Sequence, residues 1–169
     1  MTRSILLLIP LVLAFGTDSS PEQEVWSGYA YYFEKDDYED WTYQSNQDRL
    51  TETVWLTRAD AQGIFNIAQE NSYMPDLSPA DTEWATGEAT EWSSLSFQPW
   101  QVWHDSDPLG AVGVDAVVHL IADDIYIDVR FESWTQSANG GGFSYFRGLE
   151  GTTSQLTSWS VIKGLYRDW

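Results

Sequence analysis

The sequence predicts an all-β domain, an antiparallel β-sandwich of jelly-roll-like kind with at most one or two short helical turns. Three observations carry that expectation. From Trp26 onward, short apolar or aromatic segments alternate with clusters of turn-forming residues, as strands joined by tight connections do. Residues 125–134 alternate in character, with Ile125, Ile127, Val129 and Phe131 on one face and Tyr126, Asp128, Arg130, Glu132 and Trp134 on the other. Residues 115–122 read as the partner strand, so one face of this hairpin should lie on a core. No internal repeat is visible, and strands at short intervals point to two packed antiparallel sheets.

In chain order, Met1-Thr2-Arg3, the apolar run 5–15 and Ala14-Phe15-Gly16 form the three-part layout of a cleaved secretion signal over residues 1–16. A run of that length rises only about 16 Å as a helix, roughly half the hydrocarbon core, which argues against a membrane anchor. Residues 17–25 read as a flexible lead-in and 26–169 as a single β-sandwich domain with no membrane span in the mature protein. Within it, 26–33 reads as a strand, Glu34-Lys35-Asp36-Asp37 as a charged turn and 50–57 as an alternating strand. Residues 59–70 read as a turn followed by a short strand. Ser78-Pro79 has the residues of a helix start, and 95–102 reads as a strand or edge strand because Pro99 lies inside it. Asn139-Gly140-Gly141-Gly142 should turn the chain into a strand over 143–147, with glycine meeting a demand for positive φ.

Composition narrows the function. With 26 acidic against 8 basic residues the formal net charge is -18, which makes nucleic acid and anionic membranes poor partners. The absence of cysteine removes disulfides, thiol chemistry and cysteine zinc sites, so an exported chain must be held by packing or bound ions. The ten tryptophans compare with about two at average usage. Most are expected in the core, where each buried N–H needs an acceptor. Trp100 and Trp103, beside His104-Asp105-Ser106-Asp107, read as surface aromatics that could stack on a sugar.

If Asp123-Asp124 is a two-residue hairpin loop, His119 lies opposite Asp128, Val117 opposite Arg130 and Asp115 opposite Glu132. The candidate binding surface is then His119, Tyr126, Asp128, Arg130, Glu132 and Trp134, with Asp115 beside them. A slip of one residue would reverse the faces. Aromatic rings there could stack on a sugar while the charged groups bond its hydroxyls. Alternatively, Asp115, Asp128 or Glu132 with His119 could serve glycoside hydrolysis, which needs two carboxyls at a fixed spacing. The structural alternative is a cross-strand charged pair of His119 with Asp128. For a metal, Asp105 with Asp107 and Asp123 with Asp124 offer the oxygens that calcium accepts; no other cofactor is suggested. There is no Gly-x-Ser-x-Gly elbow, no phosphate-cradling loop and no histidine pair at helical spacing.

Several stretches together resemble a family of uncharacterised secreted bacterial β-rich proteins. They are Asn46-Gln47-Asp48-Arg49-Leu50-Thr51, Val54-Trp55-Leu56-Thr57-Arg58, Gln62-Gly63-Ile64-Phe65-Asn66-Ile67 with Glu70, and Ser78-Pro79 with Thr82-Glu83-Trp84-Ala85. The most specific is His119-Leu120 through Asp123-Asp124-Ile125-Tyr126-Ile127-Asp128, continuing through Phe131, Ser133-Trp134 and Gly140-Gly141-Gly142-Phe143-Ser144-Tyr145. The resemblance implies a secreted β-rich module of bacterial origin and brings no activity with it. Residues 148–169 fall outside it and show no apolar-plus-basic sorting tail. The expectation is a secreted non-catalytic β-sandwich, extracellular or periplasmic, that binds polysaccharide or another extracellular surface. The alternatives are a carbohydrate-active enzyme using the carboxylates of the 115–134 hairpin, and a calcium-stabilised structural or adhesion module.

Overall fold

A computed structural model describes residues 24–26 and 29–148. The expected signal over 1–16, the lead-in as far as 23 and the tail 149–169 lie outside the described residues. The strands are β1 (Glu24–Val25), β2 (Tyr31–Lys35), β3 (Asp48–Arg49), β4 (Trp55–Arg58), β5 (Ile64–Asn66), β6 (Thr82–Thr86), β7 (Asp115–Leu120), β8 (Ile125–Trp134) and β9 (Phe143–Arg147). The larger sheet has the order β2-β9-β8-β7-β6, and β3-β4-β5 form the smaller one. Both are antiparallel apart from β1, which pairs in parallel with the start of β8 at Ile125 and Tyr126. The fold is therefore all-β, two antiparallel sheets packed as a sandwich.

The alternation seen in sequence sets the layers. Ala116, Val118 and Leu120 of β7, Ile127, Val129 and Phe131 of β8, and Phe143 and Tyr145 of β9 face inward against Leu50, Val54, Leu56 and Ile64. Each large apolar side chain buried there contributes about 1.5–3 kcal/mol. The opposite face of the larger sheet is covered in part by a 3-10 segment, Ala89–Ser94. Beneath and beside it, Ala89, Val117 and Tyr126 pack with Val25, Trp92, Leu95 and Phe97 as a second apolar cluster.

Four local expectations are corrected. The strand read over 26–33 begins only at Tyr31 and takes in Glu34 and Lys35 as β2, so the charged turn begins later. Lys35 falls two residues after the core residue Phe33, so the strand carries it inward, where its Nζ donates to the carbonyls of Asp36 (3.1 Å) and Gly140 (3.5 Å). Residues 95–102 do not form a strand: Gln98 makes an isolated bridge to Trp84, and Pro99 precedes a single-turn helix, α1 (Trp100–Trp103). Proline's fixed φ and missing N–H suit the start of a helix as well as a sheet edge. Ser78 begins no helix; its Oγ accepts the Trp100 N–H at 2.8 Å, so it caps α1 from a distant loop. The strand read over 50–57 is confined to its end, since residues 51–53 bend and β4 runs from Trp55.

The glycine turn is as expected, with φ of 109° at Gly140 and 69° at Gly141. Packing adds a second demand, because a Cβ on Gly141 would collide with the carbonyl of Ala59.

Candidate functional site

The hairpin turns through a four-residue loop, 121–124, with Asp124 left-handed at φ 53°. The register therefore differs from the expectation by two residues. His119 lies opposite Tyr126, Val117 opposite Asp128 and Asp115 opposite Arg130. A slip of two preserves the faces, so His119, Tyr126, Asp128 and Arg130 do share the outer face. The His119 and Tyr126 rings stack in parallel with centroids 4.1 Å apart, and Phe97 meets the imidazole edge-on at 5.7 Å. Glu83, opposite His119 on β6, places Oε1 2.7 Å from Nδ1, and Asp124 places Oδ1 3.1 Å from Nε2. Both contacts are hydrogen bonds at once only when each ring nitrogen, or one of the carboxyls, carries a proton.

The other charged groups of this face hold one another. Arg130 bonds Asp115 at 2.8 Å and approaches Glu132 at 3.7 Å. Asp128 accepts the Ala89 N–H at 2.6 Å. Burial, reinforced by Glu88 and Asp115, pushes its pKa up to about 6 against the pull of that hydrogen bond.

Trp134 leaves this face altogether. A bulge between Phe131 and Ser133 inserts an extra residue into β8, after which the strand's phase is reversed and Trp134 points into the core. Trp100 is likewise not a surface aromatic: it is 1% exposed and packs against Trp84, Phe131 and Trp134. Trp103 is half-buried, stacked on Trp84 at 5.9 Å, with its indole N–H donating to Thr86 Oγ1 at 3.0 Å. Asp105, Asp107, Asp123 and Asp124 belong to two separate turns. Among the described residues, no group of three or more His, Cys, Asp or Glu is placed to hold a metal ion.

A pocket of about 250 Å³ opens elsewhere, between α1 and the turns at 62–63, 104–108 and 134–137. Trp100 and Trp134 form part of its wall. Gln101 organises one side: its Oε1 accepts the Tyr73 hydroxyl (2.6 Å) and the Asp76 N–H (2.8 Å), and its Nε2 donates to Ser106 Oγ (3.3 Å). His104 contributes a ring whose buried Nδ1 has no partner beyond its own backbone, and burial holds its pKa below the ordinary value.

Arg58 closes the other side. It sits two residues beyond Leu56 on β4, a core-facing position, and is 1% exposed. Its guanidinium donates to the carbonyls of Gln62 (2.8 Å), Gly142 (3.0 Å) and Thr135 (2.8 Å) and lies 3.9 Å above the Trp134 ring. Burial pulls its pKa down to about 10.

The backbone around the pocket is unusual. Gln62 (φ 72°), Ser106 (58°) and Ser137 (57°) all line it in left-handed conformation, and Asp76 (66°) and Asp105 (50°) adjoin it. These five are most of the eight left-handed non-glycine residues described. Each such residue costs on the order of 1–3 kcal/mol, so strain from separate turns converges on one cavity.

Sequence reasoning missed Arg58, Tyr73, Gln101, Ser106 and Ser137 as a group, because they are far apart in the chain. One signal was present: Val54, Leu56 and Arg58 continue a single face of an alternating strand, which places a guanidinium in the core. Glu83 was missed because its partner lies in another hairpin.

No family model, curated protein or solved structure matches the chain.

Proposed function

We propose that the protein is an exported, non-catalytic binding module whose pocket beside α1 holds one ring of a carbohydrate. The observation that carries this reading is the convergence of left-handed Gln62, Ser106 and Ser137 on one cavity. Strained non-glycine backbone persists where surrounding structure enforces it, and it clusters at functional sites. The pocket's volume lies just below the roughly 300–1,000 Å³ of clefts for drug-sized ligands, which suits a single ring. Indole walls supply an apolar surface, while Gln101, Ser106 and Tyr73 supply hydrogen-bonding groups of the kind that read sugar hydroxyls. Export rests on the amino-terminal signal. Asp115, Asp128 and Arg130 belong to the opposite face of the larger sheet, so the reading does not draw on them.

A glycan array combined with a tryptophan-fluorescence titration tests it. Because Trp100 and Trp134 wall the pocket, a bound sugar is expected to change the emission. Gln101→Ala is expected to weaken binding about tenfold, the loss of one hydrogen-bonding group at the pocket wall. Silence across the array, with no polysaccharide changing the emission, would remove the carbohydrate reading.

A further inference from the structure

Resting on that reading, we propose that the ring held in the pocket carries a carboxylate: the ligand is an acidic sugar of the hexuronate class. The chain has 26 acidic residues against 8 basic ones, yet none of the residues lining the pocket is Asp or Glu, and one of them is Arg58. The lining itself thus carries a cation and no carboxylate, with Asp76, Asp105 and Asp107 just outside it.

Arg58 is also buried without a carboxylate in contact, as Lys35 is, and of the two it is Arg58 that lines the pocket. It takes part in none of the ion pairs among the described residues. Its listeners are three carbonyl dipoles and an indole face, and Asp37 acts on it only from beyond ion-pair distance. With a pKa of about 10 it remains charged at neutral pH. A buried charge is ordinarily paired, because desolvation is costly. Arg58 meets no carboxylate in the protein, and it lines a cavity of ring size. A carboxylate bound there is attracted through the protein interior, where Coulomb forces are several-fold stronger than in water. Arg58 is too enclosed to grip the ligand as a fork; it acts as a fixed positive potential in the wall. The hydroxyls of the same ring meet Gln101, Ser106 and Ser137.

Isothermal titration calorimetry on the whole protein separates this inference from the reading beneath it. The probes are oligogalacturonate, alginate and hyaluronate fragments, each beside its carboxyl-reduced neutral form. The expected result is that at least one acidic fragment binds about tenfold or more tightly than its reduced form, with the gap narrowing as salt rises toward ~1 M. Gln101→Trp, which fills the pocket, is expected to abolish that binding while near-UV circular dichroism stays native. Equal binding of acidic and reduced forms overturns the acidic-ligand inference and leaves the carbohydrate reading standing. So does binding of neutral glycans alone. Binding that survives Gln101→Trp overturns the placement in this pocket. Failure of every fragment, with a silent array, overturns both.

Discussion

Arg147 and Arg58 both fasten the smaller sheet to the larger one, from opposite sides and by opposite means. Arg147 reaches from β9 to Asp48 on β3, donating from Nε at 2.8 Å and from Nη2 at 3.1 Å, and the Tyr145 hydroxyl donates to the same carboxylate at 2.7 Å. Burial works against the Arg147 cation, yet the Asp48 carboxylate more than offsets it and its pKa is raised. Burial, with Asp48 beside it, drives the Tyr145 phenol far above its ordinary range. Arg58 reaches from β4 to carbonyls of the 135–142 loop and has no carboxylate in contact, so its pKa falls. The first seam is electrically complete and leaves nothing for a ligand to supply. The second holds the sheets together with a charge still uncompensated, and a pocket lies beside it.

The contrast predicts a graded set of effects. Asp48→Ala strands Arg147 and should cost the most, about 3–5 kcal/mol, read from urea unfolding at constant m. A loss below about 1 kcal/mol would mean the seam behaves as an exposed surface pair and not as a buried one. Arg58→Met removes a charge with no ion-pair partner and leaves carbonyls unsatisfied, so about 1–3 kcal/mol is expected, together with loss of any preference for acidic ligands. If Arg58→Met proves as damaging as Asp48→Ala, the two seams are equivalent and the comparison collapses.

The carboxylates provide the same contrast on a smaller scale, Asp48 being met by a guanidinium and Asp128 by one amide. Because the folded pKa of Asp128 is raised from 3.8 to about 6, folding penalises its charged form. Its favourable contribution is complete below about pH 3.8 and disappears as the pH rises through 6. Asp128→Asn keeps an oxygen for the Ala89 N–H and removes the charge. It should stabilise the protein at pH 8 by on the order of 1 kcal/mol after solvent screening, with no gain near pH 4. Melting temperatures of both proteins across that range decide it; parallel curves would sink the assignment. The smallest effect on stability is expected from Gly63→Ala, whose methyl would collide with the Tyr73 ring. That ring can swing aside, so the cost should stay within about 1 kcal/mol. Displacing Tyr73 from Gln101 should still weaken ligand binding, which calorimetry would detect.

Much of the fold was legible in the residues. Ile125, Ile127, Val129 and Phe131 declared the core face of β8, and the glycines at 140–142 declared their turn. The register was harder to read, because Asp123-Asp124 lacks the glycine that marks a two-residue turn, and the loop takes in Ile121 and Ala122 as well. Trp100 was misplaced because a single helical turn is too short to show a period, and Pro99 fits either assignment. The pocket was almost invisible. Its groups come from positions 58, 73, 101, 106 and 137, and only the run of Val54, Leu56 and Arg58 along one strand face hinted at it.

The bulge in β8 has a consequence for how this chain can change. Up to Phe131 the strand writes its charged and aromatic residues on one side of the sheet; after one surplus residue it writes Trp134 on the other. Length, not chemistry, thus assigns Trp134 to the pocket. Deleting Glu132 would remove the surplus residue and leave Trp134 opposite Phe143 on the core face. Inserting one residue between Ser133 and Trp134 would alter no pocket residue, yet it should rotate that indole to the outside, leaving Arg58 without its ring and the cavity without a wall.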